Sequence, residues 1–491
     1  MPDRLTSLDL TFLAAESAET PMHVGTVDVF EAPDDEGAAG DRGFDYENLV
    51  ALIRDRIAFV PRYRQRVQQV PGRFAGPVWV DDEDFDITFH VRRSALPRPG
   101  THEQLLELVS RIMSRRLDRE RPLWEMYLVE GLEGGRFAVV SKSHQALVDG
   151  AGTVDIGQVV LDSTAHPRET PPDSWQPQKP PSAIELLAGV VADAVRSPSA
   201  VLEMARAEMA SLTGSTSVRE VLDGAVGALV GPGAARRRAL DSPLHAKTSG
   251  QRRYLTVDTP LEDYRTVRAM HGGSVNDVVL AVVAGALRAW MMTRGESVTA
   301  TRSVRAVVPM SIRDFDGEQS SLGTRVVASV VNLPVGEQSP VMRLHQISYQ
   351  TKVHKDTGRA VGARTLADIA GFAPTTLHAL AARVASSTVR IADELVITNV
   401  PGPQAPLYAA GARMVASYPV VPLTTGQSLT VGATSYDGQV SFGLNADRTA
   451  MPDLAVFAQC VTDALDELVE TTKGSRSRAA RGKRAPRKAG T

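Results

Sequence analysis

The sequence predicts a mixed α/β protein, of the α/β or α+β class, with two domains. Three observations support this prediction. The chain has 491 residues, enough for two or three domains of ordinary size. Segments with strand periodicity and segments with helix periodicity occur in both halves. A proline-rich, polar and aperiodic stretch at 168–184 separates the halves.

Helices and strands alternate in the first half. Residues 23–31 alternate in the manner of a strand, and apolar residues at helical spacing predict helices over 45–70 and 102–116. Residues 123–130 and 136–143 predict two strands joined by a tight, glycine-containing connection.

The second half begins after a helical connector. The stretch 184–230 is rich in Ala, Val and Leu at helical spacing, which predicts helices packed on the protein rather than on a membrane surface. A strand near Arg252 opens the second domain, and a helix over about 452–470 closes it. The predicted segments are an N-terminal lobe at 1–167, a linker with connector helices at 168–250, a C-terminal lobe at 251–472 and a disordered tail at 473–491.

The formal net charge of -3 combines two unlike parts. Residues 473–491 hold eight Lys and Arg and no acidic residue, so 1–472 carry 46 basic against 57 acidic residues, a net charge of -11. The tail has almost no large apolar residue, which predicts disorder. Docking on an anionic phospholipid or lipid-droplet surface is one interpretation of this composition. Nonspecific nucleic-acid binding and a merely solubilising tail are the alternatives.

Cysteine and hydropathy patterns exclude several classes. Cys460 is the only cysteine, so neither an intrachain disulfide nor a cysteine-based zinc site can form. The histidines show no metal-ligand spacing. The N-terminus lacks a signal-peptide pattern, and no run approaches 18 consecutive apolar residues. We expect a cytoplasmic protein that the tail can bring to the inner membrane or to lipid droplets.

Residues 144–150 (HQALVDG) carry the clearest chemical signal. A strand-like run ends at His144, and Asp149 with Gly150 closes a turn. Histidine suits a general base because its pKa is near neutrality. The amide oxygen of Gln145 accepts a hydrogen bond but is not appreciably basic. Neighbouring strand residues face opposite sides, so His144 is either a candidate base or a buried structural histidine.

Eight further segments resemble those of one family. They lie at 7–25, 77–92, 119–132, 274–288, 308–313, 321–334, 397–414 and 435–453. Together with the motif, they resemble the bacterial wax ester synthase/diacylglycerol acyltransferase family, whose motif is HHxxxDG. The resemblance implies a two-lobed fold like that of chloramphenicol acetyltransferase and condensation domains, with mixed sheets and a tunnel between the lobes.

The resemblance also implies a reaction. Family members transfer a long acyl chain from acyl-CoA to diacylglycerol or a fatty alcohol, with acyl-CoA as co-substrate and no metal or prosthetic group. The second motif histidine removes the proton of the acceptor hydroxyl, and that position is Gln145 in this chain. The sequence therefore leaves two functions open: an active O-acyltransferase, or a catalytically silent relative that binds acyl-CoA or lipid.

The site residues are inferred from the same resemblance. His144 and Asp149 are the catalytic candidates, with Asp149 organising the turn. The substrate-binding candidates are Gln145, Gly150, Pro122, Leu123, Trp124, Asn276 and Asp277. Ordinary core packing also explains the Pro-Leu-Trp segment, and the Ser-x-x-Asp pattern at 274–277 predicts a capping box at the start of a helix.

The segment TNVPGPQAPLY at 398–408 contains three prolines. Proline cannot donate to a sheet ladder. The segment is therefore predicted to be an extended turn rather than a central strand. Gly-x-Ser-x-Gly and a phosphate-binding loop are absent from the sequence, which argues against a serine esterase and a nucleotide-binding enzyme.

Overall fold

The computed structural model describes residues 3–31, 45–71, 76–147, 157, 160–170, 173–186, 242–313, 324–356 and 394–473. Asp149 and Gly150 of the motif lie outside the described residues. So do the connector helices predicted after residue 186 and the tail after Lys473.

The N-terminal half alternates short helices and strands. Its elements are α1 (Ser7–Ala15), β1 (His23–Glu31), α2 (Tyr46–Arg56), β2 (Gln65–Gln68), β3 (Val78–Asp81), α3 (Ile87–His90), β4 (Val91–Ala95), α4 (His102–Ser114), β5 (Trp124–Glu130) and β6 (Phe137–His144). Capping boxes begin α1 at Thr6 and α4 at Thr101, where each threonine hydroxyl accepts a backbone N–H that the helix leaves free.

The C-terminal half contains the longer helices. Its elements are β7 (Arg252–Pro260), α5 (Leu261–His271), α6 (Val275–Thr293), β8 (Val304–Arg313), β9 (Thr324–Leu333), α7 (Pro340–Asp356), β10 (Leu395–Pro401), β11 (Tyr408–Ala409), β12 (Ala412–Val420), β13 (Leu429–Tyr436), β14 (Gln439–Asp447) and α8 (Leu454–Lys473).

The described strands form two large sheets. Sheet 1 has the order β11-β12-β1-β6-β5-β4, and sheet 2 has the order β7-β14-β13-β10-β8-β9. Both sheets mix parallel and antiparallel pairs. The predicted mixed-sheet α/β class is confirmed.

Strand β12 joins the two lobes. It follows β10 in the chain but pairs antiparallel with β1, from Gly25↔Val420 to Glu31↔Arg413. Its end then packs over sheet 2, where Tyr254 donates its hydroxyl to the Pro419 carbonyl at 3.0 Å. The predicted boundary between the lobes at 168–250 remains a prediction. It did not anticipate that residues 408–420, from the second half of the chain, complete the first sheet.

Each sheet has its own apolar core. The α4 face of sheet 1 buries Val27 and Val140, whereas sheet 2 packs against α6 and α8. Helix α6 is long and apolar enough to cross a membrane, but 72% of its apolar window is buried inside the fold. Burial in a core explains its composition.

The helix predicted over 45–70 is wrong beyond Arg56. Two 3₁₀ turns, Ile57–Phe59 and Pro61–Arg64, follow α2, and β2 begins at Gln65. Pro61 has no N–H with which to continue an α-helical ladder, and it sits at the start of the second turn. The prediction was too long because the apolar spacing of the sequence continues beyond Pro61, where an α-helix cannot continue.

The prediction of a turn at 398–401 is also wrong. Strand β10 runs through Pro401 and pairs parallel with β13 along its length, whereas its pairing with β8 stops at Val396↔Val307. Pro401 is the last strand residue and has a described ladder partner only on the β13 side. The missing N–H is therefore tolerated there.

Close packing between β14 and the end of β12 yields a prediction. A Cβ atom at Gly443 would lie 1.9 Å from the carbonyl oxygen of Pro419. We expect Gly443→Ala to lower the free energy of unfolding by about 2 kcal/mol because the strands must separate. Gly250→Ala, whose Cβ atom would meet only Ala18 O at 3.5 Å, is the matched control. Urea unfolding of both variants checks this, and equal stability would contradict it.

Candidate active site

The motif begins where β6 ends. His144 is the last residue of β6 and pairs directly with His23 of β1. Its backbone N–H donates to Leu123 O at 2.9 Å, and the N–H of Gln145 donates to Met22 O at 2.9 Å. The ladder thus extends one residue beyond the strand before the chain turns.

Interactions within the protein fix the His144 ring. The backbone N–H of Ala146 donates to Nδ1 at 3.0 Å, and Nε2 lies 3.8 Å from Glu16 Oε1. The side chain is 1% exposed. A neutral imidazole that accepts at Nδ1 carries its proton on Nε2. This arrangement matches the structural reading of His144.

Glu16 is the charged centre beside His144. Its Oε1 lies 3.2 Å from His23 Nε2, and its Oε2 accepts from Arg119 at 2.6 and 3.0 Å. Burial alone would raise the pKa of Glu16, but His23, His144 and Arg119 together lower it to about 2. Glu16 therefore stays ionised, while burial lowers the pKa of His23 from 6.5 to about 4 despite the nearby carboxylate.

Lys142 extends this charged layer on the same side of β6. It is fully buried, and its Nζ donates to Ile112 O and Arg115 O at 3.0 and 2.6 Å. These carbonyls belong to the C-terminal end of α4, where a cation is favourable. Burial lowers the pKa of Lys142 to about 8, although Glu125, 3.7 Å away, opposes that shift.

The opposite side of β6 packs in the first-lobe core at Phe137 and Val139 and reaches the second lobe at its Ser143 end. Ser143 pairs with Val24, which packs with Val307, Val396 and Val421 between the two sheets. We call these four valines the seam cluster. Because the ladder continues to Gln145, alternation puts its side chain on the Ser143 side. His144 and Gln145 therefore serve different sides of sheet 1, and Gln145 is fully buried.

The Pro-Leu-Trp segment is packed into the first core. Trp124 is fully buried, donates Nε1 to Tyr63 O at 2.7 Å and stacks on His90 with ring centroids 4.6 Å apart. Leu123 accepts the His144 N–H, and Pro122 is buried beside it. The segment thus packs beside the end of the motif strand and bonds to it through Leu123. Its substrate-binding role stays a prediction.

Asn276 and Asp277 tie the start of α6 to its neighbours. Asp277 accepts the N–H of Ser274 at 2.7 Å, which completes the predicted capping box, and accepts the Thr351 hydroxyl at 2.7 Å. Asn276 accepts from Asn399 of β10 at 2.9 Å. These contacts are those of structural residues, and contact with substrate stays a prediction.

Sequence reasoning did not single out Glu16 or Lys142. Glu16 precedes β1 by seven residues, and only the pairing of His23 with His144 brings it to the motif. Burial of these charges depends on α4 closing that side of the sheet. One sequence signal could have identified Lys142. It is a charged residue in a strand-like run, two positions before the motif and on the side opposite Gln145.

A cleft of about 420 Å³ lies at the other end of β1. His102, Asp258 and Tyr418 are among the residues that line it. Both oxygens of Asp258 accept hydrogen bonds, from Tyr418 at 2.7 Å and Ser441 at 2.6 Å. Val29, which lines the cleft, is six residues from His23, roughly 20 Å along the strand. The described residues contain no cluster of three metal-ligating side chains.

Comparison with known families agrees with this geometry. Residues 5–279 match the model of the wax ester synthase/diacylglycerol acyltransferase catalytic domain, and residues 322–469 match that of its C-terminal domain. The two matches cover the motif and every described strand except β8. They define an acyltransferase of two lobes.

Relatives and solved structures give the same result. A probable diacylglycerol O-acyltransferase of Mycobacterium tuberculosis, tgs2, is 33% identical over 94% of this chain and 97% of its own length. A second, tgs3, is 43% identical over 55% of this chain and 97% of its own length. The wax ester synthase/diacylglycerol acyltransferase of Marinobacter aquaeolei VT8 superposes with a TM-score of 0.67, at 27% identity, over 96% of this chain and all of that one.

The chain therefore belongs to the wax ester synthase/diacylglycerol acyltransferase family. A condensation domain of the CDA synthetase shares the fold, with a TM-score of 0.52 at 14% identity over 96% of this chain and 97% of that one. The predicted family and the two-lobed, condensation-domain-like fold are confirmed.

The lowered pKa values of two buried histidines predict that the free energy of unfolding falls as the pH is lowered. Burial lowers the pKa of His23 and of His90 from 6.5 to about 4. Between pH 6.5 and 4 these two side chains bind more protons in the unfolded chain than in the folded chain, so at both of them acidification favours unfolding. Each histidine accounts for a loss of the order of 3 kcal/mol across this range.

His90→Asn separates the two contributions. His90 Nδ1 lies 2.8 Å from Trp124 O, and the asparagine amide can keep that hydrogen bond without titrating. We expect a less stable protein whose free energy of unfolding falls less steeply from pH 6.5 to 4, as urea titrations measure. If the free energy of unfolding depended on pH in the same way in both proteins, His90 would not contribute to the loss of stability in acid.

Proposed function

We propose that this protein transfers the acyl group of a long-chain acyl-CoA to the free hydroxyl of diacylglycerol, releasing triacylglycerol and CoA. A fatty alcohol is the alternative acceptor. The observation that carries this proposal is the position of the motif strand. It ends at the seam cluster, between the two sheets of a chain that matches the family's catalytic domain over 5–279 and its C-terminal domain over 322–469. The names of the mycobacterial relatives favour diacylglycerol.

The reaction needs no redox step. The acceptor oxygen attacks the thioester carbonyl carbon, the C–S bond breaks, and the acceptor proton ends on the CoA sulfur. No atom changes its oxidation state, so the step needs no redox cofactor. We propose acyl-CoA as the co-substrate, with no resident cofactor or metal. Binding both substrates in one water-poor seam supplies proximity and orientation.

Gln145 limits the rate in this proposal. Its amide can orient the acceptor hydroxyl or a water by hydrogen bonding, but it cannot take a proton at neutral pH. His144 acts as a positioning residue, since its ring holds the Ala146 N–H and faces Glu16. From the family resemblance we expect Asp149 to organise the motif turn and Gly150 to permit it; both lie outside the described residues. Pro122, Leu123 and Trp124 support the strand at the substrate entrance.

Restoring a base should accelerate the reaction. We expect Gln145→His to raise kcat at least tenfold, because a positioned general base typically contributes ~10²–10⁴-fold. Ester formation from radiolabelled acyl-CoA, with diacylglycerol or hexadecanol as acceptor, measures this. Equal, nonzero rates for the two proteins would show that Gln145 is not the limit.

His144→Ala tests the positioning role. We expect at least a tenfold fall in kcat because the turn loses the acceptor for the Ala146 N–H. His345→Ala, which changes an exposed histidine on α7, is the control and should keep full activity. Unchanged turnover in His144→Ala would contradict the assignment.

A silent lipid-binding relative makes a different prediction. Such a protein binds acyl-CoA saturably, yields no ester as the natural chain and gains activity in Gln145→His. If neither form makes ester under conditions where the tgs2 relative does, acyl transfer is not the function of this chain.

We also propose that the tail docks the enzyme on the anionic face of the inner membrane or of a lipid droplet. Eight basic residues can each contribute about 1 kcal/mol near such a surface. Lys473, the first of them, ends α8, and its Nζ lies 2.5 Å from Glu470. The remaining seven follow the folded body.

Deletion of 474–491 tests this docking. We expect the full chain to co-sediment with vesicles containing anionic phospholipid at low salt, and the shortened chain to lose most of that binding. High salt should abolish the difference. Equal sedimentation of both forms would eliminate the docking role, and preferential binding of the full chain to RNA over vesicles would redirect it to nucleic acid.

A further inference from the structure

Two hydroxyl groups beside the seam cluster have no hydrogen-bond partner within the part of the chain that the structure describes. They are the Oγ of Ser143 and the Oγ1 of Thr398. Ser143 is 2% exposed and Thr398 is fully buried. Buried hydroxyls in proteins are normally hydrogen-bonded, so each such exception needs a physical explanation.

Ser143 lies on the strand that carries the motif. It precedes Gln145 by two residues, so both side chains share one side of the extended ladder. Its cross-strand partner Val24 belongs to the seam cluster. Cross-strand partners of an antiparallel pair lie about 5 Å apart at Cβ, which places the Ser143 hydroxyl at the seam.

Thr398 approaches the same cluster from sheet 2. It lies two residues after Val396 on β10, which places it on the same side of that strand. The intervening Ile397 belongs to the helix-covered core, and Asn399 on that side bonds to Asn276. Thr398 therefore faces sheet 1.

Other buried hydroxyls in the described residues also lack partners. Ser348 belongs to α7, and Thr424 and Ser428 belong to the segment between β12 and β13. Ser143 and Thr398 differ from these because they occupy the two strands that bring the motif and the Asn-Val-Pro-Gly-Pro segment to the seam.

We propose that Ser143 and Thr398 donate hydrogen bonds to the thioester carbonyl oxygen and stabilise the oxyanion that forms there; this rests on the proposed acyl transfer. The acceptor oxygen forms a bond to the carbonyl carbon, and the C=O π electron pair moves to oxygen. When the carbonyl re-forms, the C–S bond breaks, its electron pair stays on sulfur, and the acceptor proton passes to that sulfur.

The environment makes two neutral hydroxyls effective donors. The seam cluster consists of four valines, so little water competes for the developing charge. Preorganised donors in such a site stabilise a transition state more strongly than donors in water do. In the proposed reaction, these two donors lower the barrier without a general base at position 145.

Three variants test the proposal in the full-length protein. We expect Ser143→Ala and Thr398→Val each to lower kcat about tenfold to hundredfold, with the KM for hexadecanoyl-CoA within about twofold. Thr398→Ser keeps a hydroxyl and should stay within about threefold of the natural chain. Thr398→Val replaces an unpartnered hydroxyl by a methyl group, so its Tm should not fall.

Two matched controls lose hydroxyls that are already engaged. Ser110 donates to Leu106 O at 2.8 Å, and Thr259 donates to Val440 O at 2.9 Å. Ser110→Ala and Thr259→Val should lower Tm and leave kcat unchanged. A fall in kcat equal to that of the Ser143 and Thr398 variants would overturn the proposal, because it would reflect general destabilisation.

A binding measurement separates failure of this proposal from failure of the proposed function. Calorimetry compares hexadecanoyl-CoA with S-hexadecyl-CoA, a thioether that lacks the carbonyl oxygen. We expect the natural chain to prefer the thioester at least threefold, and Thr398→Val to lose that preference. This readout requires no turnover.

Each outcome has one meaning. If the natural chain makes ester and the two hydroxyl variants make it equally fast, the donors are excluded while acyl transfer stands. If no form makes ester, acyl transfer fails, and the thioester preference decides whether the hydroxyls bind a carbonyl. Equal preference in the natural chain and Thr398→Val would overturn the assignment.

Discussion

The antiparallel pairing of β1 with β6 is the constraint on which the site depends. It places His144 opposite His23 and fixes the alternation of every residue before the motif turn. One side of the ladder carries Lys142 and His144 into a buried charged layer with Glu16. The other side carries Ser143, and by continuation Gln145, to the seam between the lobes. The buried charged layer and the proposed site of acyl transfer thus lie on opposite sides of one sheet.

The second lobe supplies a mostly uncharged surface to that seam. Beside the valines, sheet 2 presents Thr398, Thr430 and Asn445, and the last two donate to Val421 O at 2.8 and 2.7 Å. These bonds hold the chain after β12 against sheet 2 while β12 itself completes sheet 1. Strand β12 and the residues that follow it therefore connect the two sheets beside the end of the motif strand.

The sequence predicted much of this fold from local pattern. Strand β1 at His23–Glu31 has the predicted bounds, and the predicted capping box at Ser274 is present. Pattern could not predict that β12 pairs with β1 across almost 400 residues, because periodicity contains no information on partners. For the same reason Glu16 was missed. At Pro61 the missing N–H acts within the helical segment itself, whereas at Pro401 it is tolerated because β10 has a described partner there only on the β13 side, which local pattern does not reveal.

The central claim is that His144 holds the turn from inside the sheet and does not act on substrate. Nitrogen-15 NMR of ring-labelled histidine, with His144 assigned from its loss in His144→Asn, tests this most directly. The account predicts a neutral His144 ring with its proton on Nε2 and an accepting Nδ1, unchanged when acyl-CoA binds. A proton on Nδ1, or a tautomer that changes on acyl-CoA binding, would place the ring in the reaction and contradict the account.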